Sequence, residues 1–280
     1  MCVGLWLWLL TGCLVWRALS QVLPEAFTGT YGVEHFARNS EILESDGSGS
    51  ALLATIASQH RMHVVGGVIE RCLSSDVLFN STVAYDTSGS LVAKYRKIHL
   101  SKVRVGADDT SEASVLQEGN STASFKIPVD VITNGDGPRG ATFAVGLACC
   151  FDLRFPELAG AYARWGNEPC DVLLYPSAFL ASTGEKHWEL MLRTRALDGQ
   201  FYTVGSNHAL DVTASDRGES VMWGHSIIAD PWGAVVAATG GAEDELAIAD
   251  LERNMLKDVQ SKIDLGAARR PEAYKNVRPQ

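Results

Sequence analysis

A strand-like apolar run, Thr142 to Cys149, ends on two adjacent thiols, Cys149-Cys150, and a helix-like segment follows with Pro156 in its first turn. A sulfur at a strand-to-helix junction lies beside free backbone N–H groups, which favour a thiolate and can hold an oxyanion. An inert buried cysteine is the ordinary alternative. Two further segments end an apolar run on a reactive group. Lys94-Tyr95-Arg96-Lys97-Ile98-His99-Leu100 closes a strand on cations, and Val22-Leu23-Pro24-Glu25-Ala26-Phe27 closes on one carboxylate. Singly, each reads as solvated surface charge. Together they supply a base for the thiol proton, a cation for the oxyanion and a sulfur nucleophile, the requirements for cleaving an amide or nitrile.

The elements that position these groups follow from periodicity. Gly47 to Gly49 turns into a helix capped by Ser48 or Ser50, with Leu52, Leu53, Ile56 and Ala57 as its apolar face. His63 to Ile69 reads as a buried strand whose Gly66-Gly67 permits close backbone approach. Val77 to Asp86 and Leu91 to Lys97 form a hairpin around Thr87-Ser88-Gly89-Ser90. Ser101 to Thr122 and Thr133 to Gly140 read as loops. Helices are expected over Pro156 to Trp165, Glu185 to Leu197 and Leu251 to Ile263. Strands are expected over Asp171 to Tyr175, Phe201 to Gly205, His225 to Ala229, Ala234 to Ala238 and Glu245 to Asp250. This alternation predicts an α/β chain with a mixed sheet covered by helices. Strand alternation also predicts that only one of Cys149 and Cys150 faces a pocket.

The chain has 280 residues, 46% hydrophobic and 20% charged, ordinary for a globular protein. A net charge of −9 with no basic stripe argues against a nucleic-acid partner. The cysteines outside the N-terminal tract, Cys72, Cys149, Cys150 and Cys170, do not read as a disulfide framework, so a reducing compartment is expected. No CxxC or zinc-like spacing occurs, and His187 and His208 are too scattered to suggest a metal. N-x-Thr sequons stand at Asn80 and Asn120. Residues 1–21 are an atypical apolar segment whose nearly all-apolar part, Met1 to Trp16, falls short of the roughly 20 residues of a membrane span, so no stable span is expected. Ala18-Leu19-Ser20 resembles a signal cleavage site, yet no Lys or Arg precedes the apolar stretch.

The three chemical segments, in this order, resemble the nitrilase superfamily of carbon–nitrogen hydrolases. The resemblance runs from about Val22 to about Tyr274. It takes in Tyr175-Pro176-Ser177-Ala178-Phe179, Thr183-Gly184-Glu185-Lys186-His187-Trp188-Glu189, Arg193-Thr194-Arg195-Ala196, Gly224-His225-Ser226 and Asp230-Pro231-Trp232-Gly233. It implies one domain, residues 22–280, folded as a four-layer α-β-β-α sandwich and paired as a homodimer, with no cofactor or metal. It implies Glu25 as general base, Lys97 as oxyanion-holding cation and Cys150 as nucleophile, because the family places that sulfur just before an aromatic-Asp pair, here Phe151-Asp152. The backbone N–H of Phe151 is implied as a second oxyanion donor. The spacing Glu112, Leu116, Gly119 resembles a segment whose glutamate positions substrate and lysine. Tyr31 and Phe179 are expected to line the substrate pocket, and Arg154 and Glu157 to hold the turn below the nucleophile.

True nitrilases carry Cys-Trp-Glu where this chain has Cys150-Phe151-Asp152, which is similar to the amidase branch containing ω-amidase and deaminated-glutathione amidase. Lys97-Ile98-His99-Leu100, and Leu23 to Phe27 followed by Tyr31-Gly32, lean toward ω-amidase. The expected reaction is hydrolysis of the terminal amide of a small ω-amido dicarboxylate such as 2-oxoglutaramate, via a thioester, to an acid plus ammonia. Deaminated-glutathione amidase and carbamoyl hydrolase are the alternatives. The resemblance also implies a strand and helix ahead of Leu23, and residues 1–21 do not read as that unit. The expectation is therefore a truncated or misassigned start, in a cytoplasmic or mitochondrial protein. Two alternatives stand beside it: an inactive truncated member, or a secreted glycoprotein if residues 1–20 are a signal peptide.

Overall fold

Ser48 sets the outer layer. Its hydroxyl accepts the Ala51 N–H at 3.1 Å and caps the helix Gly49–His60, while Ser50 accepts the Glu44 N–H at 2.8 Å. Leu53 and Ala57 of this helix press on Val64, Val68, Val83 and Tyr85 of the sheet below. Each such fully buried aliphatic side chain contributes about 1.5–3 kcal/mol. Leu52, expected on the same face, is 52% exposed, because the face that meets the sheet runs through Leu53, Ala54, Ile56 and Ala57 and leaves Leu52 beyond its edge.

The chain is described here by a computed structural model covering residues 5–10, 15–17, 19–105, 108–128, 130–132, 142–241 and 245–274. A six-stranded sheet runs in the order Ala247–Glu252, Leu5–Leu10, Leu19–Val22, His63–Arg71, Leu78–Tyr85, Leu91–Arg96. A second six-stranded sheet runs Val235–Ala238, Ile227–Ala229, Tyr202–Asn207, Val172–Ser177, Thr142–Leu147, Ala123–Pro128. Both mix parallel and antiparallel pairs. Their inner faces share one core, in which Val22, Val65, Ala84 and Tyr95 meet Phe125, Phe143, Leu147 and Leu174. The helix Ala181–Gly199 covers the outer face of the second sheet, with Trp188 and Leu192 against Gly205. The result is the expected α-β-β-α sandwich.

Three expectations need correction. The Cys149 strand stops at Leu147, because Cys150–Arg154 coils into a 3₁₀ turn. The stretch from Ser101 is not wholly irregular: Lys102–Val105 pairs antiparallel with Asp108–Ser111, so its backbone groups find partners that its polar composition does not signal. The helix from Pro156 ends at Tyr162. The loop expected at Thr133 to Gly140 lies outside the described residues, as does part of the segment 1–21. No helix among the described residues is long and apolar enough to cross a membrane.

Candidate active site

Backbone contacts bring the three segments together at one end of the two sheets. The turn after Leu19–Val22 carries Glu25, and Ala26 behind it adopts φ +47°. Pro24 O accepts the Gly67 N–H at 3.0 Å and Gly67 O accepts the Phe27 N–H at 3.1 Å. A Cβ at Gly67 would sit 2.5 Å from Glu25 Cα, so glycine is what admits this turn. Lys97 follows Leu91–Arg96, its N–H bonded to Asn80 O at 2.8 Å, and Gly119 N donates to Lys97 O at 2.8 Å.

Asp152 staples the cysteine turn to the lysine segment. Its buried carboxylate accepts the Tyr95 hydroxyl at 2.7 Å, the His99 N–H at 3.1 Å and the Cys149 N–H at 2.9 Å. Cys150 itself sits at φ +42°. A non-glycine residue there costs about 1–3 kcal/mol and persists only where its surroundings impose it. That twist also breaks the alternation argument. Cys149 Sγ lies 3.2 Å from Glu25 Oε1 and 3.6 Å from Asn80 Oδ1. The Glu25 charge also reaches the Cys150 thiol and raises it. Both thiols therefore face one carboxylate, and Cys149 is not a mere core filler.

Glu25 and Lys97 have zero exposure and Glu112 has 1%. Lys97 Nζ donates to Glu25 Oε1 at 2.7 Å and to Glu112 Oε2 at 2.8 Å. Asn80 Nδ2 donates to Glu25 Oε1 at 2.6 Å and to Glu112 Oε1 at 3.0 Å. Ala178 N donates to Glu25 Oε2 at 2.8 Å, and Ser101 N to Glu112 Oε2 at 2.6 Å. Burial pushes the Glu25 carboxyl up, but the Lys97 ammonium and the two thiols outweigh it and hold the carboxyl below its ordinary value. Burial, with the Glu25 charge, pushes both thiols well above theirs. Burial opposes charge on Lys97, yet Glu112 and Glu25 hold the ammonium firmly protonated. The resting cluster is thus ionised carboxylate, ammonium and neutral thiols.

Above this buried layer lies a narrow cleft lined by Tyr31, Ser101, Cys150, Phe151, Arg154, Phe179 and Thr183. Tyr31 lines it while donating its hydroxyl to Glu112 at 3.1 Å, and burial together with Glu112 raises that phenol. Phe179 packs on Trp188 with ring centroids 5.1 Å apart. The sequence-expected residues Glu25, Tyr31, Lys97, Glu112, Cys150, Phe151 and Phe179 therefore all converge on the cleft or the layer beneath it.

The sequence reading missed Asn80, Arg154 and the contact made by Cys149. Arg154 does not merely hold the turn. Its guanidinium lines the cleft, donates to Thr183 Oγ1 at 3.3 Å, lies 3.2 Å from His187 Nδ1, and stands 5.0 Å over Phe179. Among the described residues it meets no carboxylate, and burial lowers its pKa. Asn80 had a visible signal: Asn80-Ser81-Thr82 puts three polar residues in the middle of a strand that is buried throughout. With zero exposure, Asn80 cannot carry a glycan in this fold, whereas Asn120 is exposed. Lys94 and Arg96 pair with Glu70, at 2.8 and 2.6 Å, away from the cleft.

A family model described as carbon-nitrogen hydrolase matches residues 12–261. The omega-amidase NIT2 of Homo sapiens is 34% identical over 253 residues, covering 90% of this chain and 83% of its own. Omega-amidase NIT2-A of Xenopus laevis is 36% identical over 255 residues, with the same coverage, 90% and 83%. Among solved structures, Saccharomyces cerevisiae Nit3, a member of branch 10 of the nitrilase superfamily, superposes with a TM-score of 0.70 at 30% identity, covering 87% of this chain and 80% of its own.

Proposed function

The chain belongs to the carbon–nitrogen hydrolase family and is an amidase-like hydrolase; from that premise we propose that it removes the terminal amide of a small ω-amido dicarboxylate of the 2-oxoglutaramate type, releasing ammonia through a thioester on Cys150. The observation that carries this reading is the buried Glu25 carboxylate, held by Lys97 and facing the thiols at the floor of a narrow cleft.

The steps follow from the resting charges. Cys150 attacks the amide carbonyl as Glu25 takes its proton, so the costly free thiolate never has to persist. Lys97 spends two of its three N–H donors on carboxylates, leaving the third for the oxyanion. The Phe151 N–H is the second donor. Glu25 then passes its proton to the departing ammonia and activates the water that cleaves the thioester. Glu112 fixes the side of Lys97 that does not meet Glu25. Arg154, which meets no carboxylate among the described residues, is the group that meets the acid end of the substrate, and Phe179 and Tyr31 wall the chain between.

Hydrolysis of 2-oxoglutaramate, a carbamoyl compound and a nitrile, read as ammonia release, and of deaminated glutathione, read as release of its peptide amine, tests the reading. The ω-amide is expected to give the highest kcat/KM. Preference for deaminated glutathione would move the assignment to that amidase, and no turnover of any amide would sink it. A homodimer and a cytoplasmic or mitochondrial location belong to the same proposal, and native mass tests the first.

A further inference from the structure

Among the described residues, Asn80 is the neutral side-chain amide that links Glu25, Glu112, Cys149 and the Lys97 backbone. Its Nδ2 bridges Glu25 Oε1 and Glu112 Oε1 at 2.6 and 3.0 Å, its Oδ1 faces Cys149 Sγ at 3.6 Å, and its backbone O holds Lys97 N at 2.8 Å. Glu25 Oε1 then carries donors from Asn80, Lys97 and Cys149, at 2.6, 2.7 and 3.2 Å. Oε2 carries the Ala178 N–H at 2.8 Å. Oε1 is saturated by three donors, whereas Oε2 carries one and keeps a lone pair for a further proton.

We propose that Asn80 is a positioning residue of this site: its carboxamide locks the Glu25 carboxylate so that Oε2, not Oε1, exchanges the proton with Cys150 and ammonia. This rests on the amide-hydrolysis reading above. The chemistry explains why an amide stands here. Glu25 and Glu112 share one ammonium, so the layer holds one excess negative charge and the carboxylates repel. A second cation would relieve that repulsion but weaken Glu25 as a base. A carboxamide bridges both acids without changing the charge.

The test compares Asn80→Asp and Asn80→Ala with the wild-type chain in ammonia release across pH, with thermal unfolding as a folding check. The groups facing position 80 are Glu25, Glu112, Lys97, Cys149 and, through Glu112, Tyr31. Removing donors to buried charges should lower kcat about 10- to 100-fold with KM little changed in Asn80→Ala. Asn80→Asp keeps the shape but at neutral pH puts a third carboxylate beside two others, so it should be worse than Asn80→Ala. On acidification its carboxyl protonates and regains a donor, so its activity should recover relative to wild type as pH falls. Should Asn80→Ala not fold, Asn80→Ser, which keeps a shorter donor, carries the comparison.

An isosteric Asn80→Asp that outperforms Asn80→Ala at every pH, with the wild-type profile, would reduce Asn80 to a packing residue and overturn the proposal. A wild-type chain that cleaves no amide would sink the reading of the site instead, and this inference with it.

Discussion

Cys149 Sγ lies 3.2 Å from Oε1 of Glu25, although it neighbours Cys150 in a chain where alternation should send the two sulfurs apart. The positive φ of Cys150 is the cause. The thiol that ends the strand and the thiol that begins the turn both reach one carboxylate. Their roles separate by access: Cys150 lines the cleft, while Cys149 has zero exposure.

That separation is testable. Cys150→Ala should abolish ammonia release. Cys149→Ala removes one hydrogen bond to Glu25 and should cost roughly fivefold, from about 1 kcal/mol. The reverse ranking, measured on the same amide, would assign the nucleophile to Cys149.

Lys97→Ala should lose about 100- to 1000-fold in kcat, the usual effect of removing an oxyanion donor. It also strands Glu25 and Glu112 as unpaired buried charges, so stability should fall by about 3–5 kcal/mol. Lys94→Ala, which loosens only the partly exposed contact with Glu70, should leave turnover near wild type. Equal losses of turnover for the two variants would reject the oxyanion role.

Arg154→Ala should discriminate between substrates. If the guanidinium binds the acid end, kcat/KM for a carboxylate-bearing ω-amide should fall about 10- to 100-fold, and that for a short neutral amide by far less. Parallel losses on both would return Arg154 to a role in shaping the turn.

Glu70 gives a stability test away from the cleft. Burial pushes its carboxyl up, but Arg96, Lys94 and Ser81 draw it down to about 2 from an ordinary 4.5. The stabilisation is therefore fully present above pH 4.5 and is lost as pH falls toward 2. Because Lys94 and Arg96 are about one-third exposed, Glu70→Gln should cost about 2 kcal/mol at neutral pH after screening. Denaturant unfolding at pH 7 and near pH 2 should show that difference shrink. A penalty unchanged between the two would mean the loss is one of shape, not charge.

The amino-acid order by itself determined the apolar periods of the strands and helices, and hence a mixed sheet covered by helices, while the two-sheet, four-layer arrangement was implied only by the family resemblance. It also placed Glu25, Lys97 and Cys150 at the ends of apolar runs. Those features are local, because burial period and helix starts are written in neighbouring residues. Gly66-Gly67 even announced a close backbone approach, which Gly67 makes against Glu25. Tertiary structure alone decided which polar groups share the buried layer. Asn80 lies 55 residues from Glu25, and Cys149 lies 124 from it. Sequence spacing carries no information about such pairings, since buried donors and acceptors must be matched across elements and the match exists only after the sheets have packed. The same holds for Arg154, which was expected to hold the turn and whose guanidinium the turn carries into the cleft.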